Sequence, residues 1–271
     1  MKRFVALRKS LRLTRIPPGA SMDIEKVKRE IEKEVLLNPR IPKIIRLLHT
    51  LEAIPDEEKF YFTGKKEEIL RKLVKRKYKN YSELKRDLKE VKFDLSWMPL
   101  KGADLSGLDF GKVKFIGSDL SNANLSYTNL SGSVLSLVKG INTCFSYSHA
   151  NLSNFIMSEC SGADFSFAEL SMSNFQGCRL VSVCFRDANL SHADLSFSNL
   201  TDADFSNANT EGIILTGAKL NGTEFVNKPL EKAVEEPKYE KANSQEKEEL
   251  SSNIYGISHY KSKPVYKRKH Y

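Results

Sequence analysis

From Leu105 to Phe225 a Leu or Phe recurs at every fifth residue, and only Gly140, Ala150, Cys160 and Thr210 among the 25 positions break the rule. Two residues before each such position stands a small side chain, as at Ala103, Ala123, Ala163, Ala188, Ala203 and Ala218, with Leu108 and Ile213 the largest departures. A helix returns to one face every 3.6 residues and a strand every 2, so neither sustains a period of five over such a length. The pattern demands a coil that turns inward once per five residues. Each unit is too small to bury its own apolar face and has to stack on its neighbours, so internal repetition governs the fold.

Stretches such as Ala103-Asp104-Leu105-Ser106-Gly107, Ala123-Asn124-Leu125-Ser126, Ala193-Asp194-Leu195-Ser196 and Ala203-Asp204-Phe205-Ser206 resemble the A(D/N)LXX consensus of the pentapeptide-repeat family. The resemblance covers about 125 of 271 residues. It implies a right-handed quadrilateral β-helix solenoid, four pentapeptides to a square coil, with the central Leu or Phe and the small residue two before it pointing inward. Residues 20 apart then lie above one another. One column reads Leu105, Leu125, Phe145, Phe165, Phe185, Phe205 and Phe225; another holds Leu120, Leu180, Leu200 and Leu220 and carries Gly140 and Cys160. A phenylalanine stack with leucines opposite would fill a narrow interior of fixed cross-section. About six coils, at roughly 4.8 Å each, predict a rod about 30 Å long. The small residues Gly140, Ala150 and Cys160 fall in neighbouring coils, where a bulge or loop is expected, with Ile141 or Leu152 filling the gap.

The net charge of +9 hides an asymmetry. Lys and Arg stand against Asp and Glu as 26 to 15 in residues 1–100, 7 to 12 in 101–227 and 10 to 7 in the remainder. The repeat is therefore acidic and the region before it basic, a balance that can draw the chain to anionic partners. Five segments follow: a basic, flexible arm over 1–22, a small α-helical domain over 23–92, a linker or cap over 93–100, the β-helix over 101–227, and a mostly flexible tail over 228–271.

Apolar stripes place helices through Ile24, Val27, Ile31 and Val35; Ile44, Leu47, Leu48, Leu51 and Ile54; Leu70, Leu73 and Val74; and Leu84, Leu88 and Val91, the last capped by Ser82. Trp97, Met98 and Leu100 are expected to close the open end of the first coil. No run of about 18 apolar residues could span a bilayer.

Residues that carry chemistry are scarce. Cys144, Cys160, Cys178 and Cys184 lack CxxC spacing, and the outward pair Cys144 and Cys184 stand two coils apart, too far for a disulfide. Reduced thiols favour a reducing compartment. The five histidines have no metal-ligand spacing, and no phosphate loop or nucleophile–base pairing occurs. The expectation is no enzyme, no cofactor, no metal and no small-molecule substrate.

Two surfaces rise above this background. The run from Arg71 to Lys79 carries six cations, Arg71, Lys72, Lys75, Arg76, Lys77 and Lys79, and is a candidate patch for nucleic acid or an anionic membrane surface. A solvated helix face, or a contact with the acidic rod, is the plainer reading. The second surface is an outward ladder, Tyr127, Tyr147 and Phe167, each one coil apart, flanked by the pairs Leu137 and Met157 and Leu152 and Met172. A concentrated apolar band marks a contact with a protein partner or a second copy. Cover for turn backbone, or burial under the helical domain, is its plainer reading.

The functional expectation is a non-enzymatic macromolecular-interaction scaffold. The family resemblance implies, as a specific version, an effector-like adaptor of bacterial type acting on proteins or membranes. The alternative it implies is a DNA mimic that inhibits or protects a topoisomerase. The expected location is cytoplasmic, with export of an effector lacking a classical signal peptide as the variant.

Overall fold

The computed structural model describes residues 24–37, 43, 44, 47, 64–78 and 80–226. The basic arm, the tail and most of the second helical stripe lie outside these residues. The chain divides into two units, Met1–Ile54 and Pro55–Tyr271. In the first, helix α1 (Ile24–Leu37) buries Ile31 and Val35, as its apolar stripe requires, together with Lys28, whose ammonium meets Glu25 at 3.0 Å.

The second unit begins, among the described residues, with α2 (Lys65–Val74) and α3 (Tyr81–Glu90). The α2 stripe is rotated from the expected one. Ile69 and Leu73, four residues apart, are buried, whereas Val74 is 54% exposed. Asn80, not Ser82, caps α3: its backbone is extended and its side chain accepts the Glu83 N–H at 2.9 Å, which leaves Ser82 inside the first turn.

From Asp94 to Asp204 every fifth residue forms a parallel bridge with the residue twenty further along. The unit of the ladder is a triad of backbone bonds. Leu105 donates to the Asn124 carbonyl at 2.8 Å, Gly107 donates to Ser126 at 2.9 Å, and Asn124 returns a bond to Ala103 at 2.9 Å. Between bridges the chain bends through a tight turn closed by bonds such as Ala103 to Leu100 at 3.0 Å. Each side is thus only one bridge long, and twenty residues make a circuit with four sides and four corners. The ladder already includes Asp94 and Pro99, so it starts within the 93–100 segment assigned to a linker.

The expected end cap is also revised. Met98 and Leu100 are buried inside the first coil, and Trp97 lies at a corner over Gly117. The end of the core is covered instead by Ile69 and Leu73 of α2 and Leu84 and Leu88 of α3, which belong to one apolar cluster with Leu95, Met98 and Leu100. Side chains of amphipathic helices can reach over an open coil, whereas residues of the coil itself are committed to its interior.

Inside the rod the phenylalanines fall mainly in two columns rather than one, with Phe110 in a third. Phe145, Phe165, Phe185, Phe205 and Phe225 stack in one, and Phe155 and Phe175 stack half a circuit away. The columns meet edge to face, with Phe145–Phe155 at 5.8 Å and Phe155–Phe165 at 5.7 Å. The expected leucine column is therefore not opposite the phenylalanines but beside them. This explains Gly140, Ala150 and Cys160 without the predicted bulge, since the bridges run through them unbroken. Small residues on two sides make room for large rings on the other two, and Cys160 Sγ and Thr143 Oγ1 close over Gly140. Leu152, expected to fill that gap, is 64% exposed.

The small inward positions also hold buried hydroxyls, and backbone carbonyls satisfy most of them, Ser148 being an exception. Thr128, Ser133, Ser153, Ser173 and Ser198 donate to the carbonyl three residues before; Ser118, Thr143 and Ser158 donate across the coil to the carbonyl 23 residues before. Such pairing makes polar atoms tolerable in a core this narrow.

Candidate functional site

The basic run is split apart by the fold. Lys72 turns inward, meeting Asp87 at 2.8 Å and Glu68 at 2.9 Å and lying over the Tyr78 ring. Arg71 pairs with Glu67, one helical turn back. Arg76 reaches the rod, where it pairs with Asp104 and donates to Ser106 Oγ at 2.9 Å. Of the run, only the side chains of Lys75 and Lys77 are exposed without a hydrogen bond or ion pair among the described residues, and Lys79 lies outside them. Three of the six cations thus neutralise carboxylates of the protein itself.

Asp87 organises this end of the molecule. Its carboxylate, 1% exposed, receives Lys65 and Lys72 at 2.8 Å and the Tyr78 hydroxyl at 3.0 Å. Burial alone would raise its pKa; the bonds from Lys65, Lys72 and Tyr78 outweigh burial and lower it to about 2. The cluster ties α3 to α2, so its role is structural.

The aromatic ladder forms as its spacing predicts. Tyr127 and Tyr147 stack at 4.9 Å with their planes 5° apart, and Tyr147 and Phe167 at 4.8 Å and 4°. All three remain solvent-exposed, Tyr127 most of all at 63%. Leu152 and Met172 stand exposed on the next corner. Leu137 and Met157 are only half-buried rather than fully outward, because at their corner the preceding residues, Ser136 and Ile156, are drawn in and buried.

The backbone at these positions is unusual. Every corner has its last residue in the left-handed region, with φ of 58° at Tyr127, 59° at Tyr147 and Phe167, 59° at Leu152 and 56° at Met172. Glycine, Asn and Asp adopt it readily and occupy many other corners; a large side chain there costs on the order of 1 kcal/mol. No β-branched residue takes this conformation anywhere among the described residues.

At three other corners a large residue covers a glycine. The Trp97 ring covers Gly117, His192 covers Gly212, and Phe197, an exposed aromatic that the sequence analysis passed over, covers Gly217. Its corner phase was the signal that could have found it. The ladder has no glycine beneath Tyr127 or Tyr147. Its rings rest on one another, and α2 and α3 do not bury them.

No group of acidic, His and Cys side chains among the described residues is arranged to hold a metal. All four cysteines are free thiols; burial pushes the pKa of Cys160 and Cys178 well up, leaving them inert, and Asp164 separates Cys144 from Cys184 in their column. No described helix is long and apolar enough to cross a membrane.

Comparison with known proteins agrees with this geometry. The family model for pentapeptide repeats matches in eight copies, over residues 100–136, 118–158, 158–196 and 198–232. Among solved structures, the chain is similar to QnrB1, a plasmid-mediated fluoroquinolone resistance protein, at 16% identity over 49% of this chain and 79% of that one, with a TM-score of 0.29. It is similar to a pentapeptide repeat protein, Rfr23, from the cyanobacterium Cyanothece 51142, at 21% identity over 51% and 95%, TM-score 0.25. A third is a pentapeptide repeat protein of the Arabidopsis thaliana thylakoid lumen, at 31% identity over 41% and 59%, TM-score 0.20. No curated protein matches the sequence.

Proposed function

Residues 100–232 belong to the pentapeptide-repeat family, whose fold is a right-handed β-helix, and on that premise we propose that the chain is a non-enzymatic scaffold that binds a protein through its aromatic ladder. The square cross-section of about six coils is part of this proposal; the twenty-residue bridge offset supports it. The observation that carries the function is the ladder itself: three exposed, stacked rings held in a backbone conformation that disfavours them, with no glycine beneath to cover. An effector-like adaptor acting on proteins or membranes is its specific version.

Competition with DNA for a topoisomerase is the second reading, and the acidic balance of the repeat favours it. Mimicry needs an uninterrupted stripe of free carboxylates. Here Asp104, Glu159 and Asp204 are each paired with an arginine, Arg76, Arg179 and Arg186. Contact with anionic lipid or nucleic acid would fall to Lys75 and Lys77, with Lys79 beside them in the sequence.

The test is the triple variant Tyr127→Ser, Tyr147→Ser, Phe167→Ser. Losing anchor aromatics costs a contact about 2 kcal/mol or more, so proteins retained by the wild-type chain should be released by the variant while its melting temperature barely changes. An unchanged set of retained proteins would sink the reading; binding to a topoisomerase that survives the triple change would favour mimicry.

A further inference from the structure

The side between the Tyr127–Tyr147–Phe167 corner and the Leu152–Met172 corner carries apolar side chains along both edges. The fourth corner, by contrast, is polar, with Asn122, Asn142, Ser182 and Asp202 at its turn positions. Charge is distributed unevenly along the same unit. Residues 64–92, at the α2–α3 end, hold 12 Lys and Arg against 5 Asp and Glu, whereas residues 154–226 hold 3 against 9.

Building on the ladder as a protein-binding surface, we propose that its partner is a second copy of the chain, laid antiparallel against the same side of the rod. A side with stacked rings and apolar side chains on its edges at mid-length, exposed His149 between them, Arg76 at one end and Asp187 at the other is complementary to itself when one copy is turned end for end. A parallel pair would set basic end against basic end.

The register follows from the columns. With the two-fold axis at Tyr147, that residue meets its own counterpart, Tyr127 meets Phe167 of the second copy, and Gly107 meets Asp187. Gly107 has no side chain, but Arg76 stands beside it. Its guanidinium is held by Ser106 Oγ at 2.9 Å and by Asp104, and its side chain stays 62% exposed with donors to spare. The Asp187 carboxylate has no side-chain hydrogen bond among the described residues; its neighbour Arg186, which it also attracts, is taken by Asp204 at 2.7 Å. Each dimer would therefore contain two Arg76–Asp187 pairs, symmetric about the stacked rings. On the other corner, Leu152 meets its own counterpart and Met172 meets the opening left at Gly132, where nothing but the Lys112 stem approaches.

Sedimentation equilibrium of the full chain tests this with charge reversals. The wild type should run at twice the monomer mass. Arg76→Glu and Asp187→Lys should each run as monomers, because like charges then face each other twice. Lys112 already occupies the same kind of left-handed corner, so lysine is tolerated at 187. Mixing the two variants should restore the dimer, since every contact in the mixed pair is again between opposite charges.

A fold-independent arm is Tyr147→Arg, which sets two guanidinium groups against each other on the axis and should yield a monomer with a wild-type melting curve. A monomeric wild type, single reversals that remain dimeric, or a mixture that stays monomeric would each overturn the antiparallel dimer. A monomeric wild type whose ladder still retains another protein would sink the dimer and leave the scaffold standing.

Discussion

Phe185 stacks on Phe165 at 5.3 Å and on Phe205 at 5.0 Å, and it meets Phe175 edge-on at 5.9 Å. Those three contacts come from coils above, below and across, so the ring has no direction in which a void could be refilled. Phe185→Ala should cost about 3 to 5 kcal/mol, the transfer and cavity terms together. Ser191, on an outward side, should lose no more than about half a kcal/mol on change to Ala. Chemical denaturation of the two variants decides the matter, and equal losses would contradict the column assignment. Asp87 gives a second test at this scale. Its pKa is depressed to about 2 from an ordinary 3.8, so the folded state prefers the carboxylate. The stability it contributes is present above about pH 4 and is lost as pH falls through the window from 4 to 2. Asp94, Asp104 and Asp204 are depressed as well and act in the same direction. Asp87→Asn should therefore flatten, without abolishing, the fall of the melting temperature between pH 4 and pH 2.

At the scale of elements, the corners show why some features can be read from sequence and others cannot. A period of five is a local property, so the inward columns, the corner positions and the stacking of Tyr127, Tyr147 and Phe167 were all legible. The phenylalanine columns were only half legible: residues ten apart face each other whichever way the chain turns, so Phe155 and Phe175 belong opposite Phe145, Phe165 and Phe185, and the leucine column was set there in their place. That error produced the expected bulge at Gly140, Ala150 and Cys160, whose small size is an answer to Phe145, Phe155 and Phe165. The basic run failed for another reason. Six cations in nine residues look like one patch, but the turn of α2 sends Lys72 to Asp87, and beyond the helix the left-handed backbone at Arg76 sends that side chain to Asp104. This dispersal has a measurable consequence. If the run binds nucleic acid, the slope of log K against log salt should be about −0.9 per phosphate contacted. Lys75 and Lys77, with Lys79 beside them in the sequence, predict a slope of about −2 to −3 by that rule, not the value near −5 that six cations would give. A steep slope would show that Lys72 and Arg76 leave their carboxylates to bind phosphate.

For the whole molecule, stability is a sum of coil interfaces, since each coil touches only the next. The two ends of the described rod are unequal. At the first, Ile69, Leu73, Leu84 and Leu88 seal the core, and Leu95, Met98 and Leu100 are fully buried. At the other, Leu215 is 8% exposed and Leu220 and Phe225 are only half-buried. Local opening should thus cost least beyond residue 206 and most around Phe155 to Phe185, where edge-to-face rings join three successive coils. Native-state hydrogen exchange should show amides of 211–226 exchanging first and those of 145–185 last, close to the global unfolding free energy. Leu84→Ala should then move the weak point, because opening the α3 seal exposes Leu95 and Met98 and lets exchange begin from the N-terminal coil as well. If the 211–226 amides exchanged as slowly as those of 145–185, stacking from one sealed end would not be what orders the rod.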